Sequence, residues 1–405
     1  MTNALTLIIG KVIRFMDSFL SDARALAPAL GALRHGIHRA PELGGRETQT
    51  ALTIEQFFAG LGVPTRRVGK TGVTATLRGA LPGPLAAFRA DMDALPVAEQ
   101  TCAPFASEAP GVMHACGHDF HMASALGAAS LLAARAESLH GGVRFLFEPD
   151  EEGDGGAAGL IAAGCLDGVS AVFGAHVSPE LPAGTFGFRF GKFYAASNPF
   201  TVAVTGKTAH GAEPEKGVDA LYAAAETACA LKQLQAPLTA RFGRTVVTVG
   251  TLHSGSACNI LAGEASLSGI LRTLGPEARR ESLLALEQTV RRVAGETGVQ
   301  YKLCVTDGYP GIVNADAPTR LALAACGELA VPARVLDAPT MMTEDFGLYL
   351  DNVPGSFYHI GVGGDAPLHS PQFLPSDSLL PAAAAVSAAI LWKFLQEEPS
   401  CRPSL

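Results

Sequence analysis

Residues 142–153, GVRFLFEPDEEG, join a short apolar run to an acidic loop. Five apolar or small residues, interrupted only by Arg144, precede a cluster of carboxylates, a pattern typical of a buried strand and the turn beyond it. The stretches LAAFRADMD, residues 85–93, and VFGAH, residues 172–176, repeat this plan with acids or a histidine at the end. Ligands of open α/β sheets bind beyond the carboxyl ends of the strands, so we expect the three polar clusters to converge.

Helical patterns alternate with such strands on either side of this region, which predicts an α/β fold with a central, mostly parallel sheet. From residue 198 to residue 305 the order changes to βαββαβ, which is typical of a ferredoxin-like unit. We therefore predict a discontinuous catalytic domain, residues 1–195 and 307–405, with an inserted lid and dimerisation domain, residues 196–306. The main predicted helices are Leu20–His35, Arg46–Leu61, Asp119–Ala136, Gly217–Gln235, Pro276–Thr297, Ala317–Leu329 and Leu379–Leu395.

Composition excludes several classes of protein. With 405 residues, 48% hydrophobic and 17% charged, the chain can bury an ordinary core and is expected to be globular. Its net charge of −8, without a basic run, argues against a nucleic-acid partner. The apolar run 4–9 is too short for a membrane span, so we expect neither an anchor nor a signal peptide. Eight scattered cysteines without a CxxC pair favour reduced thiols and a cytoplasmic location.

The densest group of metal-binding side chains is HACGHDFH, residues 114–121. Thiolate, imidazole and carboxylate together suit zinc or a related divalent ion rather than calcium. The adjacent carboxylates of Glu151 and Glu152 would be costly at a buried strand end without a cation. One of them can bind metal while the other takes a proton from water.

Several motifs in this chain occur in the same order in one family of enzymes. The chain resembles the amidohydrolase branch of the dinuclear aminoacylase and carboxypeptidase metallopeptidases, which includes hippurate hydrolases and hydrolases of indole-acetyl amino acids. The resemblance covers about residues 30–385. The motifs are RADMDALP, HACGHDFH, FEPDEEGDGGA, the HV after a strand, GKTAHGAEP, ACNILAGEA with ILRT, MTEDF and LHSPQF.

The resemblance implies two divalent metal ions, zinc, manganese or cobalt, with Cys116 as the bridging ligand. The remaining implied ligands are His118, Glu152, His176 and His369. Selectivity among these metals follows geometry and supply, so the donor set alone leaves the choice open.

The resemblance also implies roles around the substrate. Glu151 would be the general base, activating the water between the metals and then protonating the leaving amine. His210 would stabilise the tetrahedral oxyanion, supplied by the neighbouring subunit of a homodimer or higher oligomer. Asn259 and Arg272 would hold the free carboxylate of a small substrate.

Four acids are assigned to an outer shell that orients imidazoles: Asp91, Asp119, Glu344 and Asp345. Glu148 and Asp150 depart from many relatives, which carry Gln and Ala there, and this more acidic loop could shift metal preference.

The sequence thus predicts a metal-dependent amidohydrolase acting on N-acyl amino acids or similar small amides. A cysteine hydrolase using Cys116 as nucleophile is the first alternative, and a non-catalytic binding protein of the same fold is the second. Loss of turnover in metal-free protein would distinguish the metal-dependent amidohydrolase from the cysteine hydrolase.

Overall fold

The computed structural model describes residues 2–396, with side chains from residue 18 onward. Cys401, one of the eight cysteines, lies outside the described residues. The helices are α1 Thr2–Arg39, α2 Thr48–Gly60, α3 His118–Ala133, α4 Ala157–Ala162, α5 Ala220–Phe242, α6 Pro276–Thr297, α7 Asp316–Glu328, α8 Gly347–Leu350 and α9 Leu380–Gln396. The strands are β1 Thr65–Val68, β2 Gly72–Arg78, β3 Leu81–Asp91, β4 His140–Glu148, β5 Val169–Ser178, β6 Phe186–Phe188, β7 Gly191–Lys192, β8 Ala196–Thr205, β9 Ala209–His210, β10 Val246–Ser254, β11 Ile260–Leu261, β12 Glu264–Thr273, β13 Gln300–Val305, β14 Val313–Asn314, β15 Ala333–Val335 and β16 Gly355–Gly361.

These elements form two compact units, and both are discontinuous in sequence. The first unit comprises the chain up to Gly191, Asn314–Asp337 and the chain from Leu348 onward, and the second comprises Lys192–Val313 and Ala338–Gly347. The second unit therefore consists of two separate stretches of the chain rather than one.

The segment Ala338–Gly347 differs from the sequence interpretation, which assigned all of residues 307–405 to the catalytic domain. Hydrogen bonds explain its place in the second unit. The amide of Thr340 donates to the carbonyl of Phe193 at 2.9 Å, and the amide of Ala195 donates to the carbonyl of Met342 at 3.0 Å. Such backbone pairing has no signature in the side-chain pattern.

The first unit is built on an eight-stranded sheet in the order β1-β2-β4-β3-β5-β16-β6-β15. The four central strands, β4, β3, β5 and β16, run parallel. β2 is antiparallel to β4, and β6 is antiparallel to β16. The α/β class with a mostly parallel central sheet is thus confirmed, and the carboxyl ends of the central strands share one edge.

Helices α1, α3, α7 and α9 pack together over this sheet. The most apolar of them is α9; residues 377–396 are long and apolar enough to cross a membrane, but 78% of that stretch is buried inside the protein. Burial of this kind identifies α9 as a core helix. The apolar side chains of α3 pack against it, so the amino-terminal turn of α3 is held in place.

The second unit contains an antiparallel sheet in the order β10-β12-β8-β13. Helices α5 and α6 pack against each other and against this sheet. In β8 every second side chain is buried, including Phe200, Val202 and Val204, because only one face of the sheet is covered by helices. This strand order and the βαββαβ succession agree with a ferredoxin-like arrangement.

Candidate metal centre

The polar clusters of the first unit lie at the carboxyl ends of its central strands. Asp91 ends β3, Glu148 ends β4 just before the acidic loop, and His176 lies near the end of β5. The segment HACGHDFH reaches the same edge because His118 is the first residue of α3. The convergence expected from the strand pattern is therefore observed within this unit.

A glycine between two candidate ligands is required by the backbone. Gly117 caps α3 with φ of +86°, a conformation that other residues rarely adopt. A Cβ atom there would lie 2.7 Å from Cγ2 of Val177. The turn at Gly117 lets the side chains of both Cys116 and His118 reach Glu152.

Cys116 lies among the other candidate ligands. The donor atoms of Cys116, Glu152 and His369 all lie within 4.8 Å of one another. The Sγ atom of Cys116 is 3.3 Å from Nε2 of His176, and Nε2 of His369 is 3.0 Å from Oε1 of Glu152. Donor atoms of His118, Glu151 and Glu152 also lie within 4.8 Å of one another. The structure thus brings together every residue of the predicted ligand set.

Two of the imidazoles are oriented by a hydrogen bond at Nδ1, so that Nε2 is the ring nitrogen that would bind a metal ion. Nδ1 of His118 lies 3.1 Å from Oδ1 of Asp93, and Nδ1 of His176 lies 2.7 Å from the carbonyl of Val177. Nε2 of His118 is buried and has no hydrogen-bond partner among the described residues. An orphaned, buried nitrogen beside carboxylates and a thiol fits a bound metal ion.

His121, the last histidine of the segment, is fully hydrogen-bonded instead. Its Nδ1 donates to Oδ1 of Asp91 at 2.6 Å, and its Nε2 accepts from the amide of Val177 at 2.9 Å. Both ring nitrogens are used, so His121 is a neutral structural residue that joins β3 to β5 and is not available as a ligand.

His369 differs from the other candidate ligands because its side chain is 52% exposed and its backbone is strained. Its φ of +66° lies in the left-handed region that non-glycine residues seldom occupy. Its amide donates to the carbonyl of Ala115 at 2.9 Å, which ties it to the residue before Cys116. Strain of this kind persists where the surrounding structure fixes the backbone, and it often accompanies function.

The charge of this site is strongly negative. Burial raises the pKa of the Cys116 thiol well above its usual range, and the carboxylates of Glu152 and Glu151 raise it further. Burial opposes protonation of His118, yet Asp91 and Asp93 raise its pKa to about 10. Burial also opposes ionisation of Glu152, but its hydrogen bond from His369 and the charge of His118 lower its pKa to about 2. Buried carboxylates concentrated around one thiol suit divalent cations and disfavour a free thiolate nucleophile.

The outer acids differ in what they touch. Asp91 accepts hydrogen bonds from His121 and from Nη1 of Arg89, the latter at 2.6 Å. Asp119 contacts Arg34 and His38 on α1, so the imidazole it orients is that of His38 and not that of a candidate ligand. Glu344 and Asp345 are buried in the second unit, where Oε1 of Glu344 accepts from the amide of Phe346 at 3.2 Å.

Glu148, which departs from many relatives, is not a free acid of the loop. Oε2 of this buried side chain lies 2.8 Å from Nε of Arg89 and accepts a hydrogen bond from the Tyr349 hydroxyl at 2.7 Å. Its charge is thus balanced by an arginine, which itself pairs with Asp91.

Asp93 contacts two candidate ligands, although the sequence interpretation did not assign it to the site. Its Oδ1 faces His118, and its Oδ2 accepts the amide of Glu152 at 3.0 Å. One carboxylate therefore fixes two candidate ligands from different loops. The motif RADMD contained the signal, but two acids with the same alternation cannot be distinguished by sequence.

Asp93→Asn is expected to weaken binding of divalent metal about 10- to 100-fold, the usual effect of removing a partner that orients a ligand. Asparagine offers one acceptor oxygen, so either the His118 or the Glu152 hydrogen bond is lost. Dissociation constants from competition with a chelating dye measure the effect. Asp154→Asn, an exposed change in the same loop, is the matched control, and equal affinities of the two variants would contradict the role of Asp93.

The substrate-binding candidates all lie in the second unit. His210 on β9 pairs with Ile260 on β11, and the amide of Gly211 donates to the carbonyl of Asn259 at 2.8 Å, so the backbones at His210 and Asn259 are neighbours. Arg272 lies near the far end of β12 and donates from Nη1 to the carbonyl of Met341 at 2.6 Å. Eight residues of extended strand, about 26 Å, separate Arg272 from the start of β12. The structure therefore joins His210 to Asn259 but does not bring Arg272 to them.

Comparison with known proteins identifies the family to which this chain belongs. The family described as peptidase family M20/M25/M40 matches residues 87–393. The chain belongs to this family. It is a metal-dependent hydrolase of the M20 type.

Two enzymes with named activities are similar to this M20 chain over most of its length. N-acetyl-L-cysteine deacetylase of Bacillus subtilis is 37% identical over 346 residues, which are 85% of this chain and 82% of the relative. IAA-amino acid hydrolase ILR1-like 4 of Arabidopsis thaliana is 34% identical over 376 residues, 90% of this chain and 85% of the relative.

Among solved structures, the Bacillus subtilis YXEP protein, described as a dinuclear metal-binding peptidase from the M20 family, superposes with a TM-score of 0.84. It is 33% identical, and the match covers 92% of this chain and 99% of that one. The resemblance inferred from the ordered motifs is thus confirmed at the level of the family.

Proposed function

We propose that this chain is a dinuclear metallo-amidohydrolase that splits N-acyl amino acids, or similar small amides with a free carboxylate, into an acid and an amine. The observation that carries the proposal is the convergence of Cys116 with four other donor side chains, with the carboxylate of Glu151 beside two of those four. The two relatives described above act on amides of amino acids, by their names, and support the same substrate class.

The residues present fit two divalent ions. Cys116 would be shared between them, and the remaining ligands would be His118, Glu152, His176 and His369. The orphaned Nε2 of His118 and the excess of buried negative charge support this assignment. Zinc, manganese and cobalt all accept such donors. Divalent ions held there would lower the pKa of water and polarise the amide carbonyl oxygen.

Glu151 supplies the proton chemistry in this proposal. Its side chain is buried, with 7% of its surface exposed, and one of its oxygens lies within 4.8 Å of ligand atoms of His118 and Glu152. It would take a proton from the attacking water and deliver it to the leaving nitrogen, which is a poor leaving group until it is protonated. In this proposal the metal ligand, Glu152, and the general base, Glu151, are consecutive residues.

A second copy of the chain would complete the site. His210 would stabilise the oxyanion, and Asn259 and Arg272 would bind the substrate carboxylate, Arg272 through its planar fork. Asn259 precedes β11 and Arg272 lies near the end of β12, so in this proposal the two bind one carboxylate when His210 and Asn259 come from a neighbouring subunit. We therefore propose a homodimer or higher oligomer formed through the second unit.

Two alternatives are less well supported. A cysteine nucleophile at Cys116 needs a thiolate, which burial and neighbouring carboxylates disfavour. A non-catalytic binding protein would be expected to lack a ligand or the base, and the sequence contains each proposed ligand and the base. The described cysteines are all free, which fits our proposal of a cytoplasmic location.

A panel of N-acyl amino acids, each paired with its methyl ester, tests the proposed substrate class. With metal-loaded enzyme and mass-spectrometric detection, we expect release of the free amino acid from the acid and of the amino acid methyl ester from the ester, with kcat/KM about 100-fold higher for the acid than for the ester. A charged hydrogen-bonded carboxylate is worth about 2–3 kcal/mol in such a clamp. Hydrolysis of the ester forms at equal rates, or of no member of the panel, would contradict the proposal.

A further inference from the structure

A buried arginine on α1 connects the two ends of the candidate metal centre. Arg34 is fully buried. Its Nε lies 2.7 Å from Oδ2 of Asp119, the residue that follows His118. Its Nη1 donates to the carbonyl of Pro375 and to Oδ1 of Asp377, both at 2.6 Å. One guanidinium thus bonds the start of α3 and the segment that follows His369.

His38 lies one helical turn beyond Arg34 and makes a parallel connection. Its Nδ1 is 2.9 Å from the same oxygen of Asp119, and its Nε2 is 3.3 Å from Oε1 of Glu99. Glu99 also accepts the amide of Ser107 at 2.6 Å, which folds the loop around it. The next residue of that loop, Gln100, donates its amide to the carbonyl of Pro371 at 2.8 Å, two residues after His369.

This arrangement is expensive for a purely structural role. Burying a guanidinium and a carboxylate costs free energy that their pairing often fails to recover, and an apolar pair of similar volume commonly gives an equal or more stable core. What Arg34 and His38 provide that apolar residues do not is a fixed direction and distance between two loops. One loop carries Cys116 and His118, and the other carries His369 in its strained conformation.

We infer that Arg34 and His38 are positioning residues that hold these two ligand-bearing loops at the separation the metal ions need. The inference rests on the proposed metal centre. Neither side chain touches a ligand directly: they act through Asp119 on α3 and through Asp377 and Glu99 on the other side. Because α1 is anchored against α3 and α9, it can serve as the rigid support for both loops.

The experiment compares Arg34→Lys and His38→Gln with Arg135→Lys as the matched control. Arg135 joins the same two helices at the opposite end of α3, where it donates to Oδ2 of Asp22 at 2.5 Å and to the hydroxyl of Ser18 at 2.7 Å. Lysine keeps the charge but loses the fork, and glutamine keeps one hydrogen bond of His38 but loses the other. Binding of Co²⁺ is measured by competition with a chelating dye, together with the visible spectrum of the cobalt-loaded protein and thermal unfolding of the metal-free protein.

We expect Arg34→Lys and His38→Gln to weaken cobalt binding about tenfold or more and to shift the visible bands, which report ligand geometry. Arg135→Lys should leave affinity and spectrum unchanged. If Arg34→Lys fails to fold, His38→Gln carries the comparison.

Unchanged cobalt affinity and spectrum in both variants, with wild-type protein binding the metal, would overturn the inference and leave the proposed function standing. Affinity losses that Arg135→Lys shares in full would also overturn it, since stability alone would then account for them. Failure of the wild-type chain to bind two metal ions would overturn the proposed function and this inference with it.

Discussion

Glu151→Gln is expected to lower kcat for amide hydrolysis by about three orders of magnitude while the metal content of the protein stays the same. The glutamine side chain has nearly the same shape but cannot accept and return a proton, and positioned general bases contribute about 10²- to 10⁴-fold to such reactions. KM should change little because the substrate carboxylate is bound elsewhere. Steady-state kinetics combined with elemental analysis of the purified variant measure both parts of the expectation.

Asp150→Asn is the matched control for this change. Asp150 precedes Glu151 in the same acidic loop, and its Oδ2 accepts the amide of Asp154 at 3.3 Å. Its φ is +58°, a conformation that asparagine tolerates well. We expect activity within a few-fold of the wild type, as for most changes away from the reacting atoms. Near-normal kcat in Glu151→Gln, or equal losses in the two variants, would place the base at another residue.

The local sequence was sufficient to predict the bounds of elements whose ends are marked by glycine or proline. The helix α6 has the bounds that were predicted, Pro276–Thr297, because Gly275 and Pro276 mark its start and Gly298 its end. The helix α5 was predicted to end at Gln235, before Pro237, but it continues to Phe242. Leu238 is buried in the core of the second unit, so packing outweighs the cost of the proline there.

The last turn of α1 shows why polar burial escapes sequence analysis. The apolar pattern predicted a helix ending at His35, whereas α1 continues to Arg39. The extra turn carries His38, whose burial is accompanied by contacts with the carboxylates of Asp119 and Glu99. Periodicity of apolar residues cannot detect a helix face that is buried by ion pairs.

The candidate site could be predicted as a set of residues but not as a set of contacts. The resemblance of the ordered motifs implied each proposed ligand and the base, and the strand pattern predicted that the polar clusters meet at one edge of the sheet. Asp119 was expected, with three other acids, to orient an imidazole of the site. Adjacent residues of a helix point about 100° apart, so Asp119 faces α1 instead, and Asp93 orients His118.

Removal of divalent metal is expected to lower the turnover of N-acyl amino acids by at least about four orders of magnitude. Free water has a pKa of about 15.7 and is a poor nucleophile at neutral pH, whereas a bound metal lowers the pKa of water to about 7. Dialysis against a chelator, followed by an assay in metal-free buffer, measures the loss. Re-addition of zinc, manganese or cobalt in turn should restore activity, and the metal that restores most of it at the lowest concentration identifies the preferred ion.

The same experiment separates the proposed enzyme from a cysteine hydrolase. A nucleophilic Cys116 would work without metal, and removing cations would leave its thiol free to react. In the structure that thiol is buried beside Glu152 and 3.3 Å from His176, an environment in which a cation is needed to stabilise the thiolate. Chelated protein that is still folded by circular dichroism and yet inactive would agree with this reasoning. Chelated protein that retains turnover would show that Cys116 or another side chain attacks the amide directly.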